Sequence, residues 1–324
     1  MSDLVVDGLS ITLRRGGAVR VVDDVAFTVV AGRTTALVGE SGSGKTLTAL
    51  SLLRLLPEAA TIVGGHVTLT GGTTLDEPAV DILGLDDKAL RAIRGRRIAM
   101  VFQEPMTALN PLLRIDDQIG EALRIHMGLS RSQARQEALS LLEQVSLPAS
   151  RAAAFPHQLS GGQRQRVMLA AALAANPEIL IADEPTTALD VTVQAEILAL
   201  LRRLAVERQL GVLLITHDLG VVAEVADDVC VLYAGRVVER GAVDVVFNAP
   251  LHPYTQGLLA SLPSLAPRGQ PLPAIPGAVP PIERWPTGCR FRDRCDRATE
   301  ACATDPALVV VNDRAVRCVR VGGP

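Results

Sequence analysis

A chain of 324 residues, 48% hydrophobic and 21% charged, is long enough for one large core and a smaller appendage. A formal charge of −3 argues against nucleic acid as the main partner. Mean hydropathy is +0.28, yet no apolar run approaches the ~20 residues a membrane-spanning helix requires. Only 2% of residues are aromatic, so Ala, Val, Leu and Ile must fill the interior, which suits helices layered on a sheet. The start, Met1-Ser2-Asp3-Leu4, lacks the basic-then-apolar pattern of a signal peptide. An intracellular protein is expected, with any link to a membrane running through a partner.

Strands are predicted over 21–30 and 34–39, then a helix over 45–56. Gly39-Glu40-Ser41-Gly42-Ser43-Gly44-Lys45-Thr46 stands at that strand–helix junction and has the spacing GxxxxGK[ST]. Glycines let backbone N–H groups close on phosphate oxygens, and the following helix directs its positive end at the anion. Lys45, one of only two lysines in the chain, brings a point charge to the β- and γ-phosphates, and the Thr46 hydroxyl can ligate Mg²⁺. A Gly/Ser-rich surface turn is the plainer alternative; the order strand, loop, helix favours the phosphate loop.

Further strands are predicted at 66–70 and 98–102. Helices follow at 116–126 and Arg131–Gln144 with no strand between them, which suggests an inserted helical subdomain at about 108–158. Beyond it come a helix at 163–175, a strand at 178–183, a helix at 193–208, a strand at 212–216, the helix Leu219–Val225 and a strand at 229–233. Strands alternating with helices indicate an α/β domain with a largely parallel sheet. The apolar strand ending in Asp183-Glu184 offers one carboxylate to hold Mg²⁺ through its water shell and a second to polarise or orient an attacking water. Past Val246 prolines crowd, periodicity fades and an extension that is mostly loop is expected.

Leu159-Ser160-Gly161-Gly162-Gln163-Arg164-Gln165-Arg166, opening a helix, resembles the signature motif of ATP-binding-cassette (ABC) ATPases. By its chemistry it is an anion site at a helix N-terminus, with Ser160 also suited to cap the helix. The resemblance implies a P-loop (RecA-like) nucleotide-binding domain over 1–245 with an antiparallel β subdomain and a helical insert. It implies ATP and Mg²⁺ as ligands, and Ser160, Gly161, Gly162 and Gln163 acting on ATP held by a second ATPase subunit, identical or paralogous. Gln103 resembles the glutamine that touches the metal and senses the membrane partner, Asp190 the residue that crosses the dimer interface, and His217 the switch histidine of the γ-phosphate. One departure stands out: no aromatic occurs between Met1 and Val25. The position where the family stacks adenine falls at or near Leu13.

Val101-Phe102-Gln103-Glu104-Pro105-Met106-Thr107-Ala108-Leu109-Asn110-Pro111 and His252-Pro253-Tyr254-Thr255-Gln256-Gly257-Leu258-Leu259 are similar to segments of peptide- and nickel-importing ABC ATPases. The tail over 246–324, with Cys289, Cys295, Cys302 and Cys318, resembles the C-terminal region of oligopeptide/dipeptide transporter ATPases. That branch implies two transmembrane permease subunits, an extracytoplasmic solute-binding protein and a peripheral place on the cytoplasmic face of the cell membrane. Peptide is the implied cargo, with nickel and glutathione as alternatives. The cysteine spacing lacks the C-x₂₋₄-C pairs usual for zinc, and four Cys suit a [4Fe–4S] cluster, which the resemblance also implies. Zinc and four reduced thiols stay open from the residues alone. Cys230 reads as a small buried hydrophobe.

Overall fold

The computed structural model describes residues 2–14, 17–71, 78–103, 108–187, 189–262 and 273–321. Ala188 and Glu104–Thr107 of the motifs above lie outside the described residues. Five strands form a parallel core in the order β9 (Asp228–Tyr233), β3 (Thr34–Val38), β8 (Gly211–Thr216), β7 (Ile179–Asp183), β6 (Ile98–Val101). All residues of β3, β7 and β8 are buried. This is the continuous apolar pattern of strands covered on both faces. A second sheet is antiparallel and pairs β2 (Ala18–Val29) with β1 (Leu4–Arg14), then β4 (Ala60–Leu69) and β5 (Val80–Asp81).

Helix α1 (Lys45–Leu52) leaves β3 through the glycine-rich loop, and α2 (Asp87–Ile93) precedes β6. Helices α3 (Ile115–Met127) and α4 (Arg131–Gln144) fall within the span expected as a helical insert and pack on each other and on α5 (Gly161–Leu173), which also lies on β6. Ser130 and Gln133 close a capping box at the start of α4, satisfying two backbone donors at once. Helices α6 (Val191–Arg208) and α7 (Leu219–Val225) complete the α/β alternation. Among the described residues no helix is long and apolar enough to cross a membrane.

The segment past residue 246 is more ordered than its prolines predict. It continues α8 (Val243–Asn248) into α9 (Pro253–Ala260), with Pro253 in the first turn, where a missing N–H costs nothing. A short hairpin, β11 (Val309–Val311) and β12 (Arg314–Val316), then joins the large sheet by pairing β12 with β10 (Arg236–Ala242), itself antiparallel to β9. Glu239, fully buried in β10, accepts the backbone N–H groups of Leu251 (2.8 Å) and His252 (2.9 Å) and lies 3.7 Å from Arg314. A buried carboxylate is tolerable only with such partners. This one fastens the extension to the sheet.

Candidate nucleotide site

The loop after β3 opens on a residue whose contacts leave no room for a side chain. Gly39 adopts φ 153°, and a Cβ there would stand 2.1 Å from the Leu232 carbonyl oxygen and 2.8 Å from Ser43 Oγ. Gly39→Ala is therefore expected to cost at least ~1–3 kcal/mol through overpacking and to weaken nucleotide binding. Urea denaturation and ATP titration of the variant check this; wild-type values in both would show that the loop does not need its seat against β9. Inside the loop Lys45 is buried, its Nζ donating to the carbonyls of Gly39 (2.7 Å) and Glu40 (3.0 Å). Burial pushes the lysine pKa down, and the charges of Glu184, Asp183 and Glu40 offset this only in part.

At the end of β7 the two carboxylates part in character. Burial, with the charge of Glu184 added, raises the pKa of Asp183 despite a hydrogen bond from Thr46 and the charge of Lys45. Glu184 feels burial too, but hydrogen bonds from His217 and Thr187 and the charges of His217 and Lys45 outweigh it and lower its pKa. The Glu184 carboxylate is held by three side chains: Gln103 Nε2 donates to Oε2 (3.1 Å), Thr187 Oγ1 donates to Oε2 (2.8 Å) and His217 Nδ1 lies 3.1 Å from Oε1. Its backbone sits at φ 46°, a left-handed conformation rare outside glycine. Strain of this kind persists where surrounding contacts enforce it. Gly39, Glu40, Ser41, Gln103, Glu184 and His217, with Leu219 and Leu258, line a cleft of about 480 Å³, a size suited to a small-molecule ligand.

The residues fit a magnesium–nucleotide ligand. Among the described residues Asp183 Oδ1 and Ser43 Oγ are buried without a hydrogen-bond partner, an arrangement that costs stability unless a ligand completes it. Thr46 and Asp183 offer the hard oxygens that Mg²⁺ takes, and this ion needs only one or two protein ligands beside phosphate and water.

The other predicted residues do not line this cleft. Ser160 caps α5, its Oγ accepting the Gln163 N–H (3.3 Å) while Gln163 Oε1 accepts the Ser160 N–H (3.2 Å). Gly162 lies so close to α6 that a Cβ would stand 2.4 Å from Val193 Cγ1, a packing need independent of any ligand; Gly161 lies beside it. Asp190 caps α6 through the Val193 N–H (3.0 Å). Leu13 is half-buried against the core of the antiparallel sheet.

The predicted four-cysteine centre is not matched by the geometry. The thiols are gathered: burial pushes Cys289 up to about 11, and Cys302, Cys318 and Cys295 each add to the rise. Yet all are free, and no group of three or more His, Cys, Asp or Glu among the described residues is arranged to hold a metal ion. The nearby arginines turn to the cassette: Arg290 to Asp23 (2.7 Å), Arg294 to Glu40 (2.9 Å) and Arg317 to Asp24 (2.8 Å).

A family model described as "ABC transporter" matches residues 22–187, from β2 through the phosphate loop to the strand-end carboxylates. The chain belongs to the ABC transporter family of ATPases. A second model, "Oligopeptide/dipeptide transporter, C-terminal region", matches residues 238–302 of this ABC ATPase. A Brucella abortus (strain 2308) protein named "Putative peptide import ATP-binding protein" is 50% identical over 329 residues, covering 98% of this chain and 96% of its own. A solved dimeric bacterial ABC transporter cassette matches with TM-score 0.63 at 31% identity, over 74% of this chain and 98% of its own. The same cassette in a post-hydrolysis dimer bound to ADP and Pi gives TM-score 0.64 at 30% identity, again over 74% and 98%. The ABC ATPase thus has the cassette fold expected, and its cleft carries one residue that the motif reading missed, Thr187, three positions beyond Glu184.

Proposed function

We propose that this ABC ATPase hydrolyses ATP in the cleft beside Glu184 and thereby drives uptake of oligopeptides or dipeptides through two permease subunits. The observation that carries the ATPase chemistry is the triple hold on Glu184 one residue after the partnerless Asp183 oxygen. The identity along nearly the whole length to a relative named for peptide import, and the match of residues 238–302, support peptide as cargo. In this reading Lys45 and the loop N–H groups grip the phosphates, Glu184 orients the attacking water, and Gln103 and His217 hold Glu184 until the terminal phosphate draws them away. Thr46 and Asp183, with Gln103, would hold Mg²⁺, which would supply charge neutralisation at the phosphates.

Ser160, Gly161, Gly162 and Gln163 stand outside their own chain's cleft at a helix N-terminus, which suits an anion presented by a second ATPase subunit, identical or paralogous. Asp190, capping α6, would lie at that same dimer interface. ATP favours the closed pair because only there is it held from both sides. The pair would sit on the cytoplasmic face of the cell membrane beneath the permeases, fed by an extracytoplasmic solute-binding protein. The test is reconstitution of the chain with its co-purified permeases. Labelled peptide should enter vesicles only with MgATP on the ATPase side. Uptake of nickel or glutathione without peptide would overturn the cargo, and failure of any permease to co-purify would overturn the coupling.

A further inference from the structure

Both tyrosines of the chain, Tyr233 and Tyr254, pack with Phe291 beneath the phosphate loop, their ring centroids 4.6 to 5.3 Å apart. From this buried cluster two polar groups reach one loop residue, Glu40. Tyr254 Oη accepts the Glu40 N–H (2.9 Å). Arg294 donates from both terminal nitrogens to the Glu40 carboxylate, at 2.9 and 3.2 Å. The third polar group of Glu40, its carbonyl, accepts from Lys45 Nζ (3.0 Å) and from the Ser43 N–H (3.2 Å). Glu40 is thus the node through which the region past residue 246 touches the lysine that faces the phosphates.

The holders are themselves held. Tyr254 is fully buried. Arg294, only 7% exposed, donates through Nε to the Pro276 carbonyl (2.8 Å) and stands 5.7 Å from the Tyr233 ring centroid. A paired fork of this kind fixes direction as well as distance. Binding phosphate then requires no ordering of the first turn of the loop, and pre-organised donors bind more tightly because that cost is already met.

We propose that Tyr254 and Arg294 are positioning residues of the ATPase, setting the phosphate loop through Glu40. This rests on the ATPase reading above. Arg294→Gln is expected to raise KM for MgATP about tenfold, the loss typical of a hydrogen bond to a charged group, with kcat within about threefold. Tyr254→Phe, which keeps the ring and removes the hydroxyl, should shift KM the same way by less. Arg294→Lys should recover part of the loss by restoring charge without the fork. In a Glu40→Gln background Arg294→Gln should add nothing, since both act along one path. Unchanged KM in Arg294→Gln and Tyr254→Phe, with only the melting temperature lowered, would overturn the proposal, as would full additivity in the double variant. Lys45→Ala run alongside separates the two readings. Normal hydrolysis by that variant would sink the ATPase assignment itself, whereas its inactivity beside wild-type Arg294→Gln kinetics would sink this proposal alone.

Discussion

Glu184→Gln is expected to slow steady-state ATP hydrolysis by about 10²–10⁴-fold, the range typical of a positioned proton-transfer group, while ATP affinity stays within a few-fold. The substitution preserves shape and the hydrogen bond from Thr187, so binding geometry survives. It removes the negative charge that, in the proposed role, orients and polarises water. The lowered pKa of Glu184 keeps the carboxylate ionised at neutral pH, but it also makes it a weak proton acceptor. In the proposed role its contribution would therefore be chiefly alignment of the water and stabilisation of the proton as it departs. Isothermal titration with ATP and a phosphate-release assay separate the two effects. Hydrolysis within a few-fold of wild type would remove Glu184 from the role.

Asp183→Asn is expected to reduce turnover by at least about 10²-fold, comparable to loss of one preorganised electrostatic contact, and to shift half-saturation for Mg²⁺ upward. Asn keeps an oxygen but not the charge proposed to hold the divalent cation. A pH signature accompanies the wild type. Burial raises the pKa of Asp183, and a metal ligand must be deprotonated. Protons therefore compete with Mg²⁺ from a higher pH than for an ordinary carboxylate, and Mg²⁺ affinity falls as pH drops toward that raised value. Mg²⁺ titrations of hydrolysis across the acid range check this; a variant with unchanged Mg²⁺ dependence would place the cation elsewhere.

The nucleotide cleft was legible because its chemistry is local. A phosphate loop needs its glycines and lysine in one short run, and Asp183-Glu184 follow a strand whose apolar residues announce burial. Gln103 and His217, far apart in sequence, meet at Glu184 because β6, β7 and β8 are neighbours in one parallel sheet. Family resemblance named both; composition could not have joined them. Thr187 went unseen because a threonine in a loop has no distinguishing signal.

The short elements of the extension are hard to read in the sequence for a different reason. Short elements among prolines carry little periodicity, so α9 and the β11–β12 hairpin escaped notice. A signal did exist: Asn312 and Asp313 both have positive φ (49° and 60°), the conformation of a tight hairpin turn favoured by Asn and Asp, and valines stand on either side. Between the cysteines, arginines supply the attachment, by ion pairs to residues more than 250 positions earlier in the sequence. No local pattern reports contacts at that distance.

Strand β12 has a consequence for handling the isolated catalytic part. It covers the outer side of β10 through pairs at Glu239 and Arg240. A fragment cut after α8 would lose that cover and uncover backbone donors and acceptors along a valine-containing border, together with the Glu239 charge that Arg314 faces. A bare sheet border is a template for pairing with another molecule. Self-association of such a fragment would then reflect the cut, and would mimic the nucleotide-driven pairing proposed for intact subunits while owing nothing to ATP.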